Sequence, residues 1–269
     1  MPADRTGAGD PDRTLALLWR HGDVDGPAPP RRGPRPSRSV DDVVEAALAV
    51  ADERGLEAVT MRAVAEQVGV APMSLYTYVP GRAELLDLMV DTVYLTMDRP
   101  RRRSRSWRRR VTAVAEANRA LFEQHPWVAE VASSSRPPLG PGVMAKYEHE
   151  LAAFDGTGLG DVETDAALAF VLGFVQNHAR AAEAARRAQV ESAMDDTAWW
   201  EANAPLLARV LDPAAYPRAA RIGSAAGAAQ GSAHDPEHAW AFGLARVLDG
   251  LAALVDEHGA GPAGPRSGG

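Results

Sequence analysis

The 269-residue chain contains no cysteine. Disulfides and thiolate metal sites are therefore excluded, and a cytosolic (cytoplasmic) location is the expectation. Lysine is almost absent too: Lys146 is the only one, and arginine carries nearly all of the positive charge. No stretch approaches the roughly 20 apolar residues of a membrane span, so no membrane partner is expected. The apolar run 15–19 is too short for a signal-peptide core and is followed by Arg20, His21 and Asp23. Strand-like alternation of useful length is missing. So are Gly-x-Ser-x-Gly, phosphate-loop and dinucleotide glycine patterns. His125 and His178 stand far apart, and no metal-ligand spacing surrounds them. Ser133, Ser134 and Ser135 read as a helix end or loop rather than a nucleophile. With no paired acid–base constellation, neither catalysis, nor a metal, nor a cofactor is expected.

What is present is helical. Residues 60–86 read TMRAVAEQVGVAPMSLYTYVPGRAELL. Thr60 suits an N-cap, and Val64, Ala65 and Val68 give the first helix a buried side. Gly69 makes the turn, and Pro72 opens a second helix where its missing N–H costs nothing. Met73, Ser74, Tyr76, Thr77 and Tyr78 follow with no acid among them. This is a helix-turn-helix whose second helix suits a major groove. Thr60, Tyr76 and Tyr78 carry hydroxyls for phosphates, and Arg82 adds charge at the next helix start. Met73, Ser74 and Thr77 are short enough to meet base edges. Arg62, Ala71 and Pro72 complete the expected DNA-facing set. Two helices packed around a glycine for purely structural reasons would look the same, so the flanks decide.

Those flanks, Ser37 to Asp91, closely resemble the DNA-binding region of the tetracycline-repressor (TetR) family of bacterial transcriptional regulators. The matching marks are Gly-Leu-Glu-Ala-Val-Thr at 55–60, the Leu75-Tyr76-x-Tyr78-Val79 core, and the basic Arg82. A weaker similarity at Trp107 and over 125–154 points to the tetracycline-repressor type of C-terminal effector domain. The resemblance implies an all-α fold: an N-terminal three-helix helix-turn-helix domain followed by a helical ligand-binding and dimerisation domain. It also implies a homodimer, a double-stranded palindromic DNA operator and a small-molecule effector.

Composition divides the chain. Residues 1–38, rich in Pro, Gly, Asp and Arg, are expected to be a disordered basic arm, apart from a short helix at 13–20. The DNA-binding domain is placed at 39–98, opened by Ser39 and Asp42 as a capping-box variant. The effector domain is placed at 106–259 and a disordered tail at 260–269. The net charge of −7 is unusual for a DNA binder. Arginines gather outside the module instead: Arg31, Arg32, Arg35 and Arg38 before it, and a second run from Arg99 to Arg110. Phosphate neutralisation dominates DNA affinity, so Arg35 and Arg38 join the DNA-contacting set.

Helices are expected at 106–124, 127–134, 141–155, 161–187, 196–211 and 236–258, with 222–235 as a low-complexity loop. Trp240, Leu244, Val247, Leu248, Leu251, Leu254 and Val255 form one wide apolar stripe, while 166–181 is apolar but small. Beside the family resemblance, helices 161–187 and 236–258 are therefore expected to make the homodimer. Phe122, His125, Trp127, Met144, Tyr147, Phe170, Phe174, Asn177 and His178 are the candidates for lining a ligand pocket. The same aromatics at helical spacing could be plain core. The function expected is a ligand-responsive DNA-binding regulator, a repressor released by its effector. An activator, or a helical binding module without specific DNA recognition, remains an alternative from sequence alone.

Overall fold

The structure, a computed structural model, describes residues 6–22, 38–99, 104–132, 136–232 and 234–259. Among these residues there are twelve α-helices, two short 3-10 turns and no strand. In chain order the helices are α1 (Pro11–Leu18), α2 (Val40–Arg54), α3 (Met61–Val68), α4 (Pro72–Leu75), α5 (Arg82–Thr96), α6 (Trp107–Gln124), α7 (Pro126–Val131), α8 (Pro141–Leu151), α9 (Asp161–Ser192), α10 (Asp196–Val210), α11 (Pro217–Gln230) and α12 (Pro236–Gly259).

The helix-turn-helix is fixed by local chemistry first. Ser39 and Asp42 cap α2 reciprocally, Asp42 N–H to Ser39 Oγ at 3.1 Å and Ser39 N–H to Asp42 Oδ2 at 2.7 Å. Thr60 Oγ1 accepts from Ala63 N–H at 3.1 Å and starts α3. Gly69 ends α3 at φ +79°, a left-handed position that a side chain would strain. Val43, Val64, Leu75 and Val79, all fully buried, then pack α2, α3 and α4 into one core.

Helix α5 leaves this core and enters the second domain, where it packs against α8. The two backbones come so close that a Cβ on Gly142 would lie 1.9 Å from the Asp91 carbonyl oxygen. Asp91 in turn accepts from Val143 N–H at 2.9 Å, capping the start of α8. Helices α6, α7, α8 and α12 surround the first half of α9. At the α9–α12 crossing, Phe174 stacks on Trp240 with ring centroids 5.3 Å apart.

Several expectations need correction. The short helix expected at 13–20 is present as α1, but residues 6–22 as a whole are packed on the fold rather than disordered. Thr14 and Leu18 are buried, α1 lies on α5, and side chains more than seventy residues away hold its backbone. Polar composition could not reveal those distant partners. Residues 23–37, with Arg31, Arg32 and Arg35, and the tail 260–269 lie outside the described residues. Ser133, Ser134 and Ser135 do too. The loop expected at 222–235 is mostly helix, since α11 runs to Gln230. One of its glycines serves packing: a Cβ on Gly227 would strike the Trp200 ring at 2.7 Å. Helix α9 continues to Ser192 rather than ending at 187. The recognition helix is shorter than expected, α4 giving way after Leu75 to turns through Tyr78.

The apolar stripe of α12 also has a different role. Trp240, Leu244, Val247, Leu248 and Leu251 are buried within the subunit's own core. The helix is long and apolar enough by composition to cross a membrane, yet this stripe is spent on packing inside the fold. Its opposite face exposes Phe242, 58% accessible.

Candidate DNA interface and effector cavity

Two sites emerge, one at each end of α5. The first is a continuous exposed surface on the helix-turn-helix. Thr60, Arg62, Ala71, Pro72, Met73, Ser74, Tyr76 and Thr77 are all exposed. Met73 is 78% accessible, a large apolar side chain held in water by a rigid element. Leu75 points the other way and is fully buried, which fixes the rotation of α4. Arg38 is exposed at the start of the domain. Tyr78 is half-buried and packs against the core. Thr77 Oγ1 donates to the Ser74 carbonyl at 2.6 Å.

Arg82 departs from the expectation. Its guanidinium turns inward, donating to the Val59 carbonyl at 2.7 Å and the Leu56 carbonyl at 3.0 Å. It thereby ties α5 to the 3-10 turn Leu56–Ala58 and the Val59 that follows it.

The second site is a cavity of about 410 Å³ between α5, α6, α8 and α9. Its walls are largely apolar: Val90, Phe122, Pro137, Pro138, Met144, Leu168 and Leu172. Its polar groups are few and ordered. Lys146 pairs with Glu150 at 2.8 Å, both nearly buried. Asn118 Nδ2 donates to the same carboxylate at 2.6 Å. The Lys146 ammonium sits 5.0 Å from the centre of the Tyr94 ring. Burial and then the Glu150 charge push the Tyr94 hydroxyl above its ordinary range, so it stays a donor. On the outer rim Tyr147 donates to Asp165 at 2.7 Å, a bond that raises its own pKa.

Of the residues expected around a ligand, Phe122, Met144 and Tyr147 line this cavity. The others do not. Phe174 and His178 pack on Trp240 of α12, and burial, then the Arg119 charge, lowers the His178 pKa. Phe170 and Asn177 lie on the exposed face of α9. His125 and Trp127 face the other domain. Trp127 Nε1 donates to Asp52 Oδ1 at 2.7 Å, and His125 Nδ1 lies 2.8 Å from the same oxygen. His125 also borders a second hollow of about 430 Å³ between α5 and α6. The reason is helical phase: 170, 174, 177 and 178 straddle the side of α9 opposite Leu168 and Leu172. Sequence reading passed over Tyr94, Asn118, Lys146, Glu150 and Asp165. One signal was available, since Lys146 and Glu150 sit one turn apart on an otherwise amphipathic helix.

Among the described residues no group of three His, Asp or Glu side chains could hold a metal ion.

Known proteins bear directly on both sites. Residues 43–89 match the sequence pattern of the family described as bacterial regulatory proteins, tetR family. Residues 99–255 match the family described as tetracyclin repressor-like, C-terminal domain. The HTH-type transcriptional repressor DrrR1 of Streptomyces coeruleorubidus is 39% identical over 253 residues, covering 94% of this chain and 89% of that protein. An HTH-type transcriptional regulator of Saccharopolyspora erythraea is 34% identical over 52% of this chain and 59% of that protein. Among solved structures, ActR of Streptomyces coelicolor in complex with actinorhodin superposes with a TM-score of 0.67 at 26% identity, over 81% of this chain and 96% of that one. Apo ActR gives 0.67 at 24% identity, over 83% and 99%. The exposed helix-turn-helix, the helical second domain and the near full-length relative converge: this chain belongs to the tetracycline-repressor family of bacterial transcriptional regulators.

Proposed function

We propose that this regulator is a repressor that grips a palindromic operator as a homodimer and lets go when a small molecule enters the α5–α9 cavity. The observation that carries the reading is the sharing of α5. Its first residue clamps the helix-turn-helix through Arg82, and one face further along contributes Val90 and Tyr94 to the cavity wall. A ligand that displaces Tyr94 therefore acts on the helix that holds the DNA reader. The named relatives support both halves: DrrR1 is a repressor, and ActR has been seen with actinorhodin.

On DNA, Met73, Ser74 and Thr77 would meet base edges, with Ala71 and Pro72 at the helix start. Thr60, Arg62, Tyr76 and Arg38 would contact phosphates. Tyr78 packs against the domain core beside this surface, and Arg82 serves the fold first. Arg35 would extend phosphate contact from its position before the domain. The dimer would use the outward faces of α9 and α12, where Ala166, Ala169, Phe170, Gly173 and Asn177 on one helix and Phe242, Gly250 and Ala253 on the other are exposed. The α10–α11 arm would add to it, since Trp199, Leu206, Leu207 and Val210 are exposed there. A twofold pair of readers requires half-sites about one helical turn, or a multiple, apart.

Operator release requires a ligand with different affinity for the two states, a coupling of about 1–3 kcal/mol in typical cases. The test is selection of bound DNA from a random library, followed by operator titration with and without actinorhodin as the first probe. An enriched inverted repeat, weakened by the probe, supports the reading. Enrichment of no sequence would overturn it.

A further inference from the structure

The segment 6–22 touches the two domains in alternation. Starting at its N-terminal end, Thr6 Oγ1 donates to the Arg136 carbonyl at 3.0 Å, and Thr6 N–H to the Val131 carbonyl at 3.2 Å, both in the effector domain. Gly7 N–H then donates to Asp87 Oδ1 at 2.8 Å, and Asp10 N–H to Glu84 Oε1 at 3.1 Å, both on α5. Helix α1 follows, seating Thr14 and Leu18 against the same helix. At its far end Trp19 Nε1 returns to the effector domain and donates to the Leu139 carbonyl at 2.8 Å. One residue later Arg20 Nε donates to Asp41 of α2 at 3.2 Å, inside the DNA-binding domain.

The effector-domain anchors are not arbitrary places. Thr6 and Trp19 hold the carbonyls of residues 136 and 139, which bracket Pro137 and Pro138. Both prolines line the cavity, and so does Ala132 beside the Val131 anchor. The α5 anchors continue along one face into Asp91, which caps α8 through Val143, another cavity residue. Gly7 sits in this path at φ +70°, with the Arg136 backbone so close that a Cβ would lie 2.9 Å from its carbonyl oxygen.

We propose that residues 6–22 form a clasp that couples the proline wall of the effector cavity to the DNA-binding domain. The inference rests on the cavity being the effector site and adds a second route beside α5. A ligand that pushes Pro137 and Pro138 outward strains the bonds at 136 and 139. Through Thr6 and Trp19 that strain reaches α1, and through Arg20 it reaches α2. Beside α5 and the α2–α7 contact at Asp52 and Trp127, the clasp is a further tie between the domains, and the one that ends on the proline wall of the cavity. Coupling of this kind requires an element with contacts on both sides, and these contacts supply it.

The test uses the full-length protein carrying Thr6→Val and Trp19→Phe together. Thr6→Val is nearly isosteric and Trp19→Phe keeps an aromatic ring, while together they remove the hydroxyl and indole donors to residues 136 and 139. Operator affinity is measured with and without actinorhodin as probe, alongside direct binding of the probe. The expected result is a fall of fivefold or more in the factor by which the probe weakens operator binding. Probe affinity and probe-free operator affinity stay within threefold of the parent. An unchanged factor overturns the clasp. Failure of the parent to bind actinorhodin counts instead against the effector reading for that ligand. Amide hydrogen exchange on the ligand-free proteins then decides the clasp. Faster exchange in the double variant at both 137–144 and 84–91 supports it. Faster exchange confined to 6–22 overturns it.

Discussion

The indole N–H of Trp127 donates to Asp52 Oδ1 at 2.7 Å, joining α7 of the effector domain to α2 of the DNA reader. Trp127 is almost fully buried, while Asp52 stands at the solvent edge of the contact. Asp52→Ala is expected to cost about 0.5–1.5 kcal/mol, the net worth of an ordinary hydrogen bond whose donor water can reach. Urea unfolding measures it. A stability equal to the parent's would mean that the contact is slack in solution.

Arg82 and Arg62 should separate by readout. Arg82 holds the carbonyls of Val59 and Leu56, whereas Arg62 is exposed beside the reading surface. Arg82→Ala is expected to lower stability by about 1–3 kcal/mol while leaving the salt dependence of DNA binding nearly unchanged. Arg62→Ala should leave stability alone and make the salt slope shallower by about one unit. Denaturation curves and binding at several salt concentrations distinguish the two. The opposite pattern would return Arg82 to the DNA and remove Arg62 from it.

Much of this was legible beforehand, and for physical reasons. Ser39, Thr60, Gly69 and Pro72 act within a few residues of themselves, so their roles show in the sequence. The cavity did not show, because it depends on which sides of α5, α6, α8 and α9 face one another. Periodicity finds the apolar side of a helix but not its neighbour. That is why Phe122, Met144 and Tyr147 were found while Tyr94 and Asn118 were missed. Phe174 and His178, aromatic and polar enough for a pocket by composition, pack on Trp240 instead. The clasp was invisible for the same reason, since Gly7 and Asp10 are held by Asp87 and Glu84.

Asp87 gives the clasp a pH signature. Burial is the main cause that raises its pKa from 3.8 to about 6, against the opposing Gly7 N–H bond. The folded protein thus holds a proton that the unfolded chain has released between those values. The stability owed to this group falls as pH rises through that window and is level above it. Asp87→Asn keeps a carbonyl for Gly7 and should flatten the dependence. It is expected to stabilise the protein near neutral pH by up to about 2–3 kcal/mol, the free-energy equivalent of the shift. Urea midpoints of both proteins across the window measure this. Parallel pH profiles would contradict it.

The two faces of α12 make a second contrast. Leu251 is buried within the subunit, so Leu251→Arg should unfold it by placing an unpaired charge in the core. Phe242 is exposed on the outward face. Phe242→Arg should leave helix content intact, yet shift the protein toward monomer and weaken operator binding at least tenfold. Light scattering and circular dichroism together report both. A dimeric, fully active Phe242→Arg protein would place the interface elsewhere.

The account stands most directly on one measurement: selection of operator DNA by the purified protein, compared with Ser74→Ala and Tyr76→Ala. The parent is expected to enrich an inverted repeat. Ser74→Ala should change the preferred base at one or two positions, each worth about 1–3 kcal/mol. Tyr76→Ala should weaken all sites alike, as loss of a phosphate contact does. Enrichment of the same sequences with the same affinity by all three proteins would contradict the assignment of α4 as the reader.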